Sequence, residues 1–181
     1  MTTSNTKTIV LGGGCFWCLD AFFVRVRGVV AVVSGYAGGD VVQPNYEQVS
    51  SGTTGHAEVV QITYDADVIS LETLVHIFFT IHNPTTLNQQ GADIGTQYRS
   101  VILYADADEQ SRIEIVRDQI ESEYVYDTPI VTQVVPLDVF YPAEDYHQNY
   151  FAKNPAQAYC QMVILPKLQK HKQELTQYLN E

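Results

Sequence analysis

Positive charge is scarce in this 181-residue chain: ten Lys and Arg stand against 21 Asp and Glu, for a net charge of −11. Such a surface repels nucleic acid and anionic lipid, and no basic stripe offsets it. The expected substrate is therefore neutral, or held by contacts other than charge. Long apolar runs are missing too; none approaches the ~20 residues that a helix needs to cross a bilayer. Residues Met1 to Lys7 are polar and hold no apolar signal segment, which predicts a cytoplasmic protein. Three cysteines (Cys15, Cys18 and Cys160) are too few, and odd in number, for a disulfide scaffold. In a reducing compartment such residues are more often catalytic or metal-binding. Internal repeats, low-complexity tracts and linkers are absent, and no feature signals oligomerisation, so a monomer is expected. The length fits one catalytic domain, 1–181, with a core over about 7–136 and a C-terminal segment over about 137–181.

What is present alternates between strand and helix patterns. Lys7–Leu11 reads as a short buried strand that Gly12, Gly13 and Gly14 break. From Cys15 to about Val26, Phe16, Leu19, Phe22 and Phe23 recur at helical spacing. Val29–Ser34 reads as a strand, Gly35–Gln43 as a glycine-rich loop, and Asn45 as the cap of a short helix from Tyr46. His56–Tyr64 alternates as a strand should, and Ser70 caps a helix that Asn83-Pro84 follows. A strand over Tyr98–Tyr104, a helix from Asp106 to about Glu123, a strand over Ile130–Val135 and a last helix from about Pro166 complete the pattern. The order β-α-β-β-α-β, then α-β, predicts an α+β two-layer sandwich with a ferredoxin-like split βαβ core, a mixed sheet and a long extended C-terminal region.

The strongest local signal is Gly12-Gly13-Gly14-Cys15-Phe16-Trp17-Cys18. A glycine turn there ends a strand and starts a helix at Cys15, where free N–H groups and the helix dipole favour an anion. That position predicts a lowered thiol pKa and a reactive thiolate. A buried, inert cysteine would also fit the local sequence. The glycine spacing matches neither a dinucleotide-binding loop nor a P-loop. A zinc site on Cys15 and Cys18 lacks a second Cys or His pair at ligand spacing, so no metal or cofactor is expected. Cys-x-x-Cys at a helix start suggests a thioredoxin-like dithiol–disulfide oxidoreductase using Cys15 and Cys18, although two intervening aromatics suit an apolar pocket better. A non-catalytic peptide-binding module using Phe16 and Trp17 is a third possibility.

GGGCFWC is followed by SGYAGG, PNYEQVSSGTTGHAEVV, GADIGTQYRSVI and YPAEDYHQNYFAKNPAQAYC, in that order from about Lys7 to Cys160. This series resembles the A class of peptide methionine sulfoxide reductases. The resemblance implies reduction of the S epimer of methionine sulfoxide, free or in proteins, as repair of oxidative damage, with thioredoxin as external reductant. It implies Cys15 as nucleophile, Glu58 as the acid on the sulfoxide oxygen, and Cys160 as the resolving thiol. It assigns Phe16 and Trp17 to the walls around the substrate methyl group, Tyr46 and Tyr98 to hydroxyl donors, and Asp93 to orienting the substrate or a site water. Three positions depart from the family pattern. Asp20 stands where Glu is common, Ile94 where His is common, and Gln161–Ile164 lacks the glycines found in many relatives.

Glu58 can also be read without the family. Period two along His56–Tyr64 puts it on the face of Val60 and Ile62, where desolvation would raise its pKa and keep it a proton donor. A solvated Glu at a strand end fits the same local sequence. Tyr46 and Tyr98 are two of twelve tyrosines, and Asp93 between two glycines suits an Asx turn equally. His147, in EDYHQNY, reads either as a group supporting the site from behind or simply as part of an aromatic helix, the second reading being favoured.

Overall fold

A computed structural model describes residues 5–180. The strands are β1 (Thr6–Gly12), β2 (Val29–Ala37), β3 (Ala57–Asp65), β4 (Gln89–Gln90), β5 (Asp93–Ile94), β6 (Val101–Tyr104), β7 (Gln133–Pro136) and β8 (Phe140–Pro142). The helices are α1 (Phe16–Phe23), α2 (Tyr46–Ser50), α3 (Leu71–Ile81), α4 (Ala107–Ser122), α5 (Tyr150–Lys153) and α6 (Leu165–Glu174). Six strands form one sheet in the order β7-β6-β1-β3-β2-β8, and β4 and β5 form a small hairpin of their own. All neighbours in the large sheet are antiparallel except β6 and β7, which run parallel. That pair needs a crossover, and α4 supplies it. The architecture is α+β with a mixed sheet, as the element order predicts.

Alternation along the central strands sorts side chains onto two faces. Ile9, Leu11, Val60, Ile62 and Ile102 meet the buried faces of α1, α3 and α4 in the main core. Val10, Val59, Val101 and Leu103 form a smaller cluster on the opposite face with Val135, Leu137 and Phe140. Burying each large apolar side chain contributes ~1.5–3 kcal/mol, so the helix-covered face supplies most of the apolar stabilisation. Caps fix where helices begin. Ser70 accepts from Thr73 N–H and Asp106 from Glu109 N–H, at 3.1 and 2.9 Å. Asn45 and Gln48 exchange reciprocal bonds of 2.9 and 3.0 Å, a capping box that sets the orientation of Tyr46.

Four boundaries differ from the sequence expectation, each for a tertiary reason. The first helix stops at Phe23 because Val26 leaves it to bridge Leu179. Strand β2 continues to Ala37 because β8 pairs with Gly35–Ala37. Tyr98 lies in a 3-10 turn, Thr96–Tyr98, whose carbonyl receives the Gly14 N–H at 3.1 Å; the strand begins only at Val101. The strand expected over Ile130–Val135 begins at Gln133, where pairing with Val101 starts.

The C-terminal segment is bound back onto the sheet. The side-chain amide of Gln148 accepts from Ser34 N–H at 2.8 Å and donates to the Ser34 and Ala143 carbonyls at 2.9 and 3.0 Å. It thus takes the place of a peptide group at the edge of β2. Gly35 permits this approach, since a Cβ there would run into the Phe140 ring and the Tyr141 carbonyl. Gly35→Ala is expected to cost about 1–3 kcal/mol by overpacking and to loosen the segment after Leu137 first. Thermal melts and limited proteolysis check this; an unchanged melting temperature and cleavage pattern would refute it.

Candidate active site

The site begins at the glycine turn closing β1. A Cβ on Gly12 would lie 2.9 Å from Val101 Cγ1 and 3.0 Å from the Glu58 carbonyl oxygen, so only glycine lets the chain pass this close to β3 and β6. Gly14 adopts φ +88°, a region that favours glycine, and turns the chain from strand to helix. Cys15 follows as the N-cap of α1 with extended backbone and no capping bond from its own side chain.

The first free N–H of α1 is satisfied by a distant residue. Phe16 N–H donates to Glu58 Oε2 at 3.1 Å, so the carboxyl of β3 takes the electrostatically favoured place at the helix N-terminus. Glu58 is 1% exposed. Burial pushes its pKa up from 4.5 to about 8, the Phe16 bond opposing; Asp93 and Cys18 push it further up. It is therefore a neutral acid at pH 7, on the face shared with Val60 as its strand position predicts.

Cys15 departs from the expected ionisation. Its sulfur is buried, and burial raises its pKa well above the ordinary thiol value. The Cys18 sulfur as hydrogen-bonding partner and the nearby Glu58 carboxyl act in the same direction, while the Trp17 N–H opposes them. The helix N-terminus loses to desolvation, and Cys15 rests as a thiol. Cys18 moves the other way, lowered chiefly by the hydrogen bond from Cys15, with the Lys167 ammonium 3.9 Å from its sulfur.

Around Cys15 stands a wall of rings. Phe16 is fully buried against Tyr36 and His147, with ring centroids 5.8 and 5.0 Å away. Trp17 stacks on Tyr150 at 3.7 Å and 5°, and its Nε1–H donates to His147 Nδ1 at 3.1 Å. That bond leaves the His147 proton on Nε2, and burial lowers its pKa, keeping the ring neutral. Tyr46 lies against the same imidazole at 4.5 Å. Burial raises the phenol pKa of Tyr46, with Ser50 opposing and the charges of Glu58, Cys15 and Asp93 adding; burial also raises that of Tyr98, followed by Glu58, Tyr46, Asp93 and Cys15. Asp93, on β5, accepts the Tyr159 hydroxyl at 2.7 Å.

Seven of the eight residues singled out from sequence thus converge: Cys15, Phe16, Trp17, Tyr46, Glu58, Asp93 and Tyr98. Cys160 lies just behind them, fully buried with Ala21 and Ile164, and Trp17, Cys18 and Tyr159 pack on that cluster. It sits in a π-helical turn, Cys160–Ile164, that runs straight into α6. The reading of His147 as an ordinary aromatic-segment residue is corrected, since it holds Trp17 in place. Glu144 and Tyr159 gave no sequence signal of their own. Glu144 accepts from the Tyr36 hydroxyl at 2.9 Å and Tyr46 N–H at 3.0 Å, joining β2, α2 and the tail. Asp20, at the position departing from the family pattern, is buried without a hydrogen-bond partner among the described residues. No cluster of three potential metal ligands occurs among those residues.

The raised Glu58 pKa has a stability consequence. Between about pH 4.5 and 8 the folded chain keeps a proton that the unfolded chain releases. Stability therefore falls as pH rises through that window. A Glu58→Gln variant escapes this loss, so it should melt progressively above the parent as pH rises from 4.5 to 8, with a ceiling on the order of 5 kcal/mol. Paired thermal melts across that range test it; a constant difference between the two proteins would rule out a protonated Glu58.

The chain was compared with known proteins. Residues 7–179 match the family model described as peptide methionine sulfoxide reductase. The peptide methionine sulfoxide reductase MsrA of Nautilia profundicola is 56% identical over 162 residues, 90% of this chain and 92% of that protein. The reduced form of Mxr1 from Saccharomyces cerevisiae superposes with a TM-score of 0.78 at 34% identity, covering 87% of this chain and 91% of that one. Mxr1 in complex with Trx2 gives 0.57 at 25% identity, covering 82% and 86%. With its glycine turn, buried acid and ringed cysteine accounted for, the chain belongs to the peptide methionine sulfoxide reductase family.

Proposed function

We propose that this protein reduces the S epimer of methionine sulfoxide, free or in proteins, to methionine, and that thioredoxin returns it to the reduced state. The observation that carries the reading is the Glu58 carboxyl: bonded to Phe16 N–H, one residue from the Cys15 thiol, and protonated near neutral pH. A sulfoxide is neutral but strongly polar at oxygen. It needs an apolar slot for its methyl group and a donor for its oxygen. Phe16 and Trp17 supply the slot, and Glu58, Tyr46 and Tyr98 the donors, with Asp93 and Tyr159 orienting what lies between them. A chiral sulfur held at both points is admitted in one configuration, which gives the epimer selectivity.

Glu58 protonates the sulfoxide oxygen, and the Tyr46 and Tyr98 hydroxyls stabilise charge developing there. Protonation makes the sulfur electron-poor, so the Cys15 thiol loses its proton as it attacks rather than beforehand. That proton replaces the one Glu58 gave up. The oxygen transfers to Cys15, methionine departs and a sulfenic acid remains. A disulfide ending at Cys160 then forms with loss of water, and thioredoxin reduces it by exchange. Mxr1 in complex with Trx2 supports such a reductant. This reading takes the protein as one catalytic unit, acting as a monomer in the cytoplasm, where its three free cysteines stay reduced. No helix among the described residues is long and apolar enough to cross a membrane.

Steady-state assays with the separated epimers should give methionine from the S form alone; turnover of neither form would refute the reading. Glu58→Gln should lower kcat/KM by about 10²–10⁴-fold. The parent should lose activity as pH rises through about 8, where Glu58 gives up its proton, and the variant should lack that descending limb. Equal rates in parent and variant would remove Glu58 from the mechanism.

A further inference from the structure

We propose that Glu144 is a positioning residue of this site: from the edge of the sheet it holds the short helix α2 so that the Tyr46 hydroxyl meets the sulfoxide oxygen. The inference rests on the reading of Tyr46 as a donor to that oxygen.

Tyr46 needs such a hold. It is the first residue of α2, which has only five residues, Tyr46–Ser50. Isolated helices shorter than ~12 residues are marginal in water, so contacts from outside must fix this one. The Asn45–Gln48 capping box is local and travels with the helix. Val49 anchors one side, fully buried in the main core. Gln97, the neighbour of Tyr98, donates its side-chain amide to the Ser50 carbonyl at 3.1 Å and holds the far end. Glu144 holds the residue that bears the hydroxyl, its Oε2 accepting the Tyr46 N–H at 3.0 Å.

Glu144 is itself fixed to the sheet. Its neighbour Ala143 donates an N–H to the Ser34 carbonyl on β2 at 2.8 Å, and the Glu144 carbonyl accepts the His147 N–H at 2.9 Å. Its Oε1 accepts the Tyr36 hydroxyl at 2.9 Å, and its Oε2 also accepts the Tyr146 hydroxyl at 3.3 Å. Burial acts to raise the pKa of this carboxyl, but its own N–H, the Tyr46 N–H and the Tyr36 hydroxyl outweigh burial and lower it, so these bonds are made to an anion. Tyr36 is fully buried and is the cross-strand partner of Glu58. Direct partners across an antiparallel pair lie on one face of the sheet. The line Glu58, Tyr36, Glu144, Tyr46 therefore sets the acid and a hydroxyl donor in one frame, although they come from a strand and a loop-borne helix. Such a donor stabilises the transition state only when it lies ~2.7–3.1 Å from the developing charge. A misplacement of ~1 Å can cost on the order of 10²-fold in rate.

A double-mutant cycle tests this, with single-turnover formation of methionine from the S epimer followed across substrate concentrations. Tyr46→Phe is expected to lower the saturating rate by about 10²-fold. Glu144→Ala is expected to lower it by up to ~10²-fold with the half-saturating concentration nearly unchanged, and to add nothing in the Tyr46→Phe background. Glu144→Gln keeps an oxygen for the Tyr46 N–H and offers an N–H to the Tyr36 hydroxyl, so it should recover most of the rate. Tyr36→Phe, which removes one oxygen and leaves Glu144 in place, supplies the cycle where Glu144→Ala does not fold; its smaller loss should likewise vanish on Tyr46→Phe. A loss that persists undiminished in the Tyr46→Phe background overturns the proposal, as does a Gln variant as slow as the Ala variant or the absence of any loss in the single variants of Glu144 and Tyr36. In each of those outcomes a slow Tyr46→Phe leaves the role of Tyr46 intact. Tyr46→Phe as fast as the parent instead removes Tyr46 from the reaction, and the proposal with it.

Discussion

The hydrogen bond from Phe16 N–H to Glu58 Oε2 is the constraint on which the site depends. It fastens the first turn of α1 to the start of β3, two segments 42 residues apart. It is short enough to form only because the glycine turn lets β1 run close beside β3. It also decides the electrostatics of the site. The helix N-terminus, which could have stabilised a thiolate, is spent on a carboxyl, and both groups sit out of water. Desolvation is the largest influence on four groups there: Glu58 stays protonated, Cys15 stays a thiol, and the phenols of Tyr46 and Tyr98 are harder to ionise. A charged nucleophile waiting in this pocket would be costly. A neutral acid beside a neutral thiol suits a neutral substrate whose own polarity starts the reaction.

The C-terminal segment completes this environment. Gln148 extends the sheet edge, Glu144 ties Tyr36 to Tyr46, Tyr150 stacks on Trp17, and Tyr159 reaches Asp93. The segment that carries Cys160 therefore also packs against the rings of the candidate site. Cys160 and Trp17 are thereby packed in one cluster. Cys160 itself is fully buried against Ala21 and Ile164.

Much of this was legible in the sequence wherever the cause is local. Strand β3 follows from strict alternation, α3 from the Ser70 cap, α4 from the Asp106 cap and α2 from the Asn45–Gln48 box. The turn at Gly12–Gly14 placed Cys15 at a helix start, and the family pattern gathered Glu58, Tyr46, Asp93 and Tyr98 to one site. Other features depend on what arrives from elsewhere in the chain. Helix α1 ends early because Leu179 claims Val26, and β2 runs long because β8 joins it. His147 is an acceptor because Trp17 lies beside it.

The sequence by itself determined the placement of most elements and the family, because caps, periodicity and motif spacing act over a few residues. Tertiary structure alone decided protonation, since a pKa depends on burial and on charges brought in from distant segments. The motif at Cys15 reads as a site for a thiolate; folding buries it, gives the helix N-terminus to Glu58 and leaves a thiol.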